Sequence, residues 1–160
     1  MRNVKTVFIL ASALFFAACA KNANLRCNLY VIDEMDKKNI YVPHKEANYI
    51  DSYLKKSKKW KMLARTAGGR MNHAKAYGFA KAGKTVIVSY NAGPGCNGHV
   101  AIVDGTKPMA WSPKYGAYVP YASGSVRGRD PESIPLSRQF SADKESEMNY
   151  FVYAPAADKR

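Results

Sequence analysis

Two residues in this chain have the types and order to serve as a nucleophile and its base. Cys27 stands in "LRCNLYVID" (residues 25–33), at the head of a helix-like stretch. His99 opens the apolar "HVAIVDG" (residues 99–105), just after a Gly- and Pro-rich segment. A cysteine attacks as its thiolate, and a free thiol with a pKa of about 8.5 is mostly protonated at neutral pH. A helix N-terminus and a neighbouring imidazolium each lower that pKa. A cysteine on a helix followed by a histidine on a strand is therefore an order that suits thiol-dependent acyl transfer. Plainer readings stand beside it. A lone histidine at a strand edge is more often a hydrogen-bonded structural residue, and "CNLYV" reads equally well as core.

Cys96 adds a third reading. Of three cysteines, Cys19 falls in the N-terminal segment, which leaves Cys27 and Cys96 for the folded part. Cysteines close in space pair readily in an oxidising compartment. Cys96 lies three residues before His99, so a Cys27–Cys96 bridge would make a stapled, non-catalytic module, or a reversible cap on the nucleophile. The other histidines, His44 and His73, form no ligand-spaced cluster with the cysteines. Neither a metal nor another cofactor is expected.

The elements that must carry these residues follow from periodicity. Residues 27–37 read as a helix with Leu29, Ile32 and Met35 on one face, and residues 46–56 as a second with Ala47, Ile50, Tyr53 and Leu54. "TAGGR" (residues 66–70) breaks the chain, and a third helix is expected over residues 72–81, stopped by Gly83. "KTVIVSY" (residues 84–90) and "HVAIVDG" are β-branched, apolar and bounded by turn residues, so they read as strands. "AWSPKYGAYVPY" (residues 110–121) reads as a strand pair, residues 122–133 as an exposed polar loop, and "NYFVYAP" (residues 149–155) as a closing strand. Helices first and an antiparallel sheet after them predict one α+β domain.

The first twenty residues read as a signal peptide: Arg2 and Lys5 precede the apolar run of residues 7–18, too short to span a bilayer. Residues 18–20, "ACA", suit ordinary cleavage before a mature domain over residues 21–160. Residues 16–19, "FAAC", also resemble a lipobox, which would anchor the protein to a membrane through Cys19. The expectation is thus a secreted or periplasmic protein, or alternatively a lipoprotein. The full chain carries a formal charge of +13; without the signal, 23 basic residues face 12 acidic ones, for +11. That balance suits anionic surroundings such as cell wall or anionic lipid. The densest basic run, "KKSKKWK" (residues 55–61), reads as a solvated helix end. With only Trp60 inside it, it lacks the interleaved aromatics of a nucleic-acid site.

"RCNLYV" followed far downstream by "GHVAIVDG" resembles the NlpC- and CHAP-type cell-wall amidases of the papain-like group. It resembles more closely the type VI secretion amidase effectors and their relatives secreted by some eukaryotes. "HAKAYGFAKAGKTVIVSY" and "MNYFVYAP" are similar as well, so the resemblance covers roughly residues 25–155. It implies a papain-like core with N-terminal helices on an antiparallel sheet. It also implies a monomeric cysteine peptidase that cleaves an amide bond in peptidoglycan stems or cross-links, directed at bacteria or at wall. A cognate immunity or inhibitor protein would accompany such an effector, and no nucleic acid. Carried onto this chain, the resemblance makes Cys27 the nucleophile and His99 the general base. Ser112 is the counterpart of the third, orienting residue, with Asp104 as runner-up. The chain departs from its relatives in the arm before the nucleophile, six residues from Lys21, where theirs is longer.

Overall fold

The structure, a computed structural model, describes residues 27–124 and 132–155. The signal-peptide, lipobox and Cys19 expectations lie outside those residues.

The first helix, α1 (Cys27–Lys37), buries Cys27, Val31, Ile32 and Met35. Its inward stripe thus runs Cys27–Val31–Met35 at four-residue steps, and Leu29 is 57% exposed rather than on the core face. Asn39 ends it at φ 54°, a left-handed conformation that Asn tolerates better than most residues, and Ile40 N–H closes back on Met35 O at 2.9 Å. The second helix, α2 (Ala47–Lys56), buries Ala47, Ile50, Asp51 and Leu54. The third, α3 (His73–Lys81), is capped by the Asn72 side chain, which accepts from Lys75 N–H. Gly83, at φ 79°, takes the left-handed turn that stops it.

Among the described residues, six strands form one sheet: β1 (Trp60–Met62), β2 (Val86–Tyr90), β3 (His99–Asp104), β6 (Tyr121–Gly124), β7 (Glu132–Pro135) and β8 (Met148–Tyr153). Their order is β1-β8-β2-β3-β6-β7, and each neighbouring pair is antiparallel. Two further strands, β4 (Ala110–Ser112) and β5 (Ala117–Val119), make a separate ribbon. A four-residue helix, α4 (Leu136–Gln139), and a 3-10 turn (Ala142–Glu147) lead from β7 into β8.

Alternation along the strands sends side chains to two faces. Ile87, Val100 and Phe151 pack with α1 and α2, in the cluster that contains Cys27, Ile50 and Leu54. Val86, Val88, Ala101, Val103, Tyr150 and Val152 pack on the other face with Ala76 of α3, Val119 of β5 and Leu136 of α4. The sheet is thus the middle layer of an α+β domain.

Two expectations are corrected here. The basic run is not simply a helix end: α2 stops at Lys56 and Trp60, 5% exposed, opens edge strand β1. The polar stretch over residues 122–133 is not all loop, because Ala122 to Gly124 complete β6 and Glu132 and Ser133 begin β7.

Candidate active site

Cys27 is the first residue of α1, 2% exposed, and its thiol is free. Burial pushes that thiol up from its ordinary pKa. Backbone N–H groups of Val100, Asn28 and Cys27 itself oppose the shift, and burial outweighs them. The expected depression by the helix N-terminus is therefore not realised. A shielded sulfur loses more solvation on ionising than three amides restore.

The Val100 N–H belongs to the peptide unit that joins Val100 to His99. The sulfur consequently lies beside the start of β3, one residue from the histidine. The two side chains leave the strand on opposite faces, however. Val100 shares the Cys27 cluster, while the His99 ring packs at 4.6 Å on Phe140 in the other one. His99 Nε2 is buried and has no hydrogen-bond partner. Desolvation pulls the imidazole pKa down to about 4, and the adjacent Gln139 side chain pulls weakly the other way. At neutral pH the site thus holds a thiol and a neutral imidazole, not an ion pair.

Gln139 is the polar neighbour of His99 that sequence reasoning missed. Its Nε2 donates to the Ala122 carbonyl, which fixes the side chain between α4 and β6. Its Oε1 is buried and accepts no hydrogen bond of ordinary geometry, so the contact with His99 is looser than a directed bond. Gln139 lies on a four-residue helix after a stretch that reads as loop, and nothing in the sequence marks it.

The two residues carried over for the orienting role lie elsewhere. Ser112 is buried at the end of β4, where its Oγ accepts from Tyr115 N–H at 3.4 Å and shapes the β4–β5 turn. Asp104 ends β3, five residues and roughly 16 Å from His99 at strand rise. It accepts from Thr106 N–H at 2.8 Å and from the Ser133 hydroxyl, and these bonds hold its carboxyl below the usual range despite partial burial. Both are turn-forming residues here. A cavity of about 270 Å³ lined by Tyr30, Glu34, Lys84, Asp104 and Thr106 lies at that same far end of β3.

The Cys27–Cys96 bridge is also corrected. Cys96 is disulfide-bonded, and since Cys27 is free its partner is not Cys27. The two loop ends do not bring those sulfurs together: Cys27 is committed to the α1–β3 interface, whereas the Cys96 carbonyl is tied to α2 through Asn48. His73 is buried in the opposite cluster and His44 pairs with Asp36 at the surface, so neither joins Cys27. Among the described residues, no group of three or more His, Cys, Asp or Glu is placed to hold a metal ion. No protein-family model matches the chain, and no curated protein matches it.

Proposed function

We propose that this protein is an exported cysteine amidase with a papain-like core that hydrolyses an amide bond in the peptide stems or cross-links of peptidoglycan. One observation carries the reading: the peptide unit joining His99 to Val100 directs its N–H at the free sulfur of Cys27, at the head of α1. The thiol, the backbone of the histidine and a helix N-terminus thereby share one end of the sheet, with the His99 ring on the opposite face. Two supporting features are the unpartnered His99 Nε2 and the Gln139 amide beside the ring.

The chemistry starts from neutral groups. As sulfur attacks the scissile carbonyl, its proton passes to His99 Nε2, and N–H groups at the start of α1 face the developing oxyanion. The imidazolium then protonates the leaving amine as the C–N bond breaks. His99 next takes a proton from water, the resulting hydroxide attacks the thioester, and Cys27 regains its proton as the acid is released. The thiol and the ring lie on opposite faces of β3, so this reading requires the His99 side chain to turn round the start of β3 towards Cys27 when substrate binds. The basic surface would concentrate the enzyme on an anionic wall, an effect that weakens with salt.

A second reading has its own observation. Cys27 is 2% exposed with its thiol pKa raised, as in a plain core cysteine, which fits a basic exported protein that binds wall without cleaving it. Digesting purified sacculi with wild type and Cys27→Ala, then identifying fragments by mass, separates the two. The amidase reading expects new amine and carboxyl termini from wild type alone. Equal release by both proteins, or sedimentation with sacculi and no release by either, would overturn it.

A further inference from the structure

We infer that Asn48 is the positioning residue of the candidate active site: it pins the loop over residues 91–98 to α2 and so sets where β3 starts and where the His99 ring stands. The kinetic part of this inference rests on the amidase reading; the structural part does not.

The loop joins β2 to β3 across eight residues, longer than the two to five or so of most hairpin connections. Left alone, such a loop would place His99 poorly, because His99 follows it directly and pairs with Tyr90 at the last rung of the ladder. Asn48 supplies the missing restraint with its whole side-chain amide. Nδ2 donates to the Gly93 carbonyl at 3.0 Å and to the Cys96 carbonyl at 2.7 Å, and Oδ1 accepts from Ala92 N–H at 3.1 Å. Three contacts along one loop fix its path rather than one point on it.

Gly98 shows how close the two pieces run. A Cβ on that residue would lie 2.2 Å from Asn48 Oδ1 and 2.5 Å from the Tyr90 carbonyl, so only glycine fits beside the clamp. One turn further along α2, the buried Asp51 carboxylate accepts from Ser89 Oγ at 2.5 Å and from Asn91 Nδ2 at 3.4 Å, which braces the start of the loop. The same end of α2 also steadies the other half of the site. Asn28, the neighbour of Cys27, donates its Nδ2 to the Lys45 carbonyl at 3.1 Å, three residues before Asn48. The carriers of Cys27 and of His99 are thus both mounted on residues 45–48.

The test uses the full chain and three variants. Asn48→Ala removes all three bonds; Asn48→Asp keeps the size and the acceptor for Ala92 while removing both donors, and serves if the alanine variant does not fold. Gly98→Ala attacks the same joint from the loop side. In each folded variant, nitrogen-15 spectra of the imidazoles should shift for His99 and stay fixed for His73. On sacculus fragments, kcat should fall about 10- to 100-fold, as expected for a misplaced catalytic group, with KM changed less than about threefold. Unchanged His99 resonances in variants whose Ala92 amide has lost its exchange protection would overturn the inference, as would a loss confined to KM. A wild type that cleaves nothing would sink the amidase reading, while the His99 spectra would still decide the positioning claim.

Discussion

His73 and His99 are two imidazoles on the same face of one sheet, each with its pKa drawn down to about 4 by burial and each with a buried Nε2 that meets no partner. Their neighbours differ. His73 Nδ1 is 2.8 Å from the Tyr150 hydroxyl, and its ring meets Tyr115 and Tyr150 edge-on within the core. Glu145 and Arg70 pull on it in opposite directions. Burial of the phenols holds the Tyr115 and Tyr150 pKa values above their ordinary range, so the cluster stays neutral in ordinary buffers. His99 stands instead at a strand end, with an amide on one side and a thiol one peptide unit away. A depressed pKa marks both places equally, so the shift alone does not mark a site. What separates them is the free Cys27 thiol beside the peptide unit that follows His99.

The comparison can be broken most decisively by activity. His99→Ala should lower sacculus hydrolysis by about a thousandfold or more, and His73→Asn should leave kcat within about threefold once folded protein is counted. Equal losses would make both imidazoles structural. Acid sensitivity should instead unite them. Each folded pKa of about 4 lies below the ordinary 6.5, so below pH 6.5 the unfolded chain binds protons that the folded chain does not. The stability each contributes is complete above pH 6.5 and is lost as pH falls from 6.5 towards 4, up to about 3 kcal/mol apiece. Urea midpoints measured across that range should flatten by about half in His73→Asn; a profile identical to wild type would exclude His73 from the acid response. The smallest effect concerns orientation. Gln139→Leu should cost about tenfold in kcat and push the His99 pKa lower still, with the His73 pKa as the internal control. No change in either would remove Gln139 from the site.

Much of this layout is legible in the chain itself. The α1 bounds at Cys27 and Lys37, the Asn72–Lys81 segment, and strands β2, β3 and β8 all follow from strong apolar periodicity closed by Asn, Gly or charged residues. What escapes lacks that pattern. Edge strand β1 is three residues at the end of a lysine run, and its one inward side chain, Trp60, is too little to signal a strand. The β6 strand buries Ala122 and Gly124, small residues whose value is space: a Cβ at Gly124 would lie 3.0 Å from Gln139 Oε1. The inward face of α1 was misplaced by Leu29 because a period of three and one of four diverge within two turns. At the candidate site, Cys27 and His99 stand out in the sequence because cysteine and histidine are rare in the chain. Gln139 and Asn48 are not, since amides are common and act here only through distant partners. The direction of the Cys27 shift depends on how deeply α1 packs, a property of the whole fold.

Strand β8 has a temporal consequence. It lies between β1 and β2, in the interior of the sheet, yet among the described residues it is the last strand in chain order. Until residues 148–153 emerge, β1 has no sheet to join and one edge of β2 is bare. Val86, Phe151 and Val152 cannot come together before then. Closure of the sheet therefore waits for the last of its described strands to be made. The two helices that pack on Ile87, Val100 and Phe151 likewise lack a finished platform until then, so the core is assembled late rather than strand by strand.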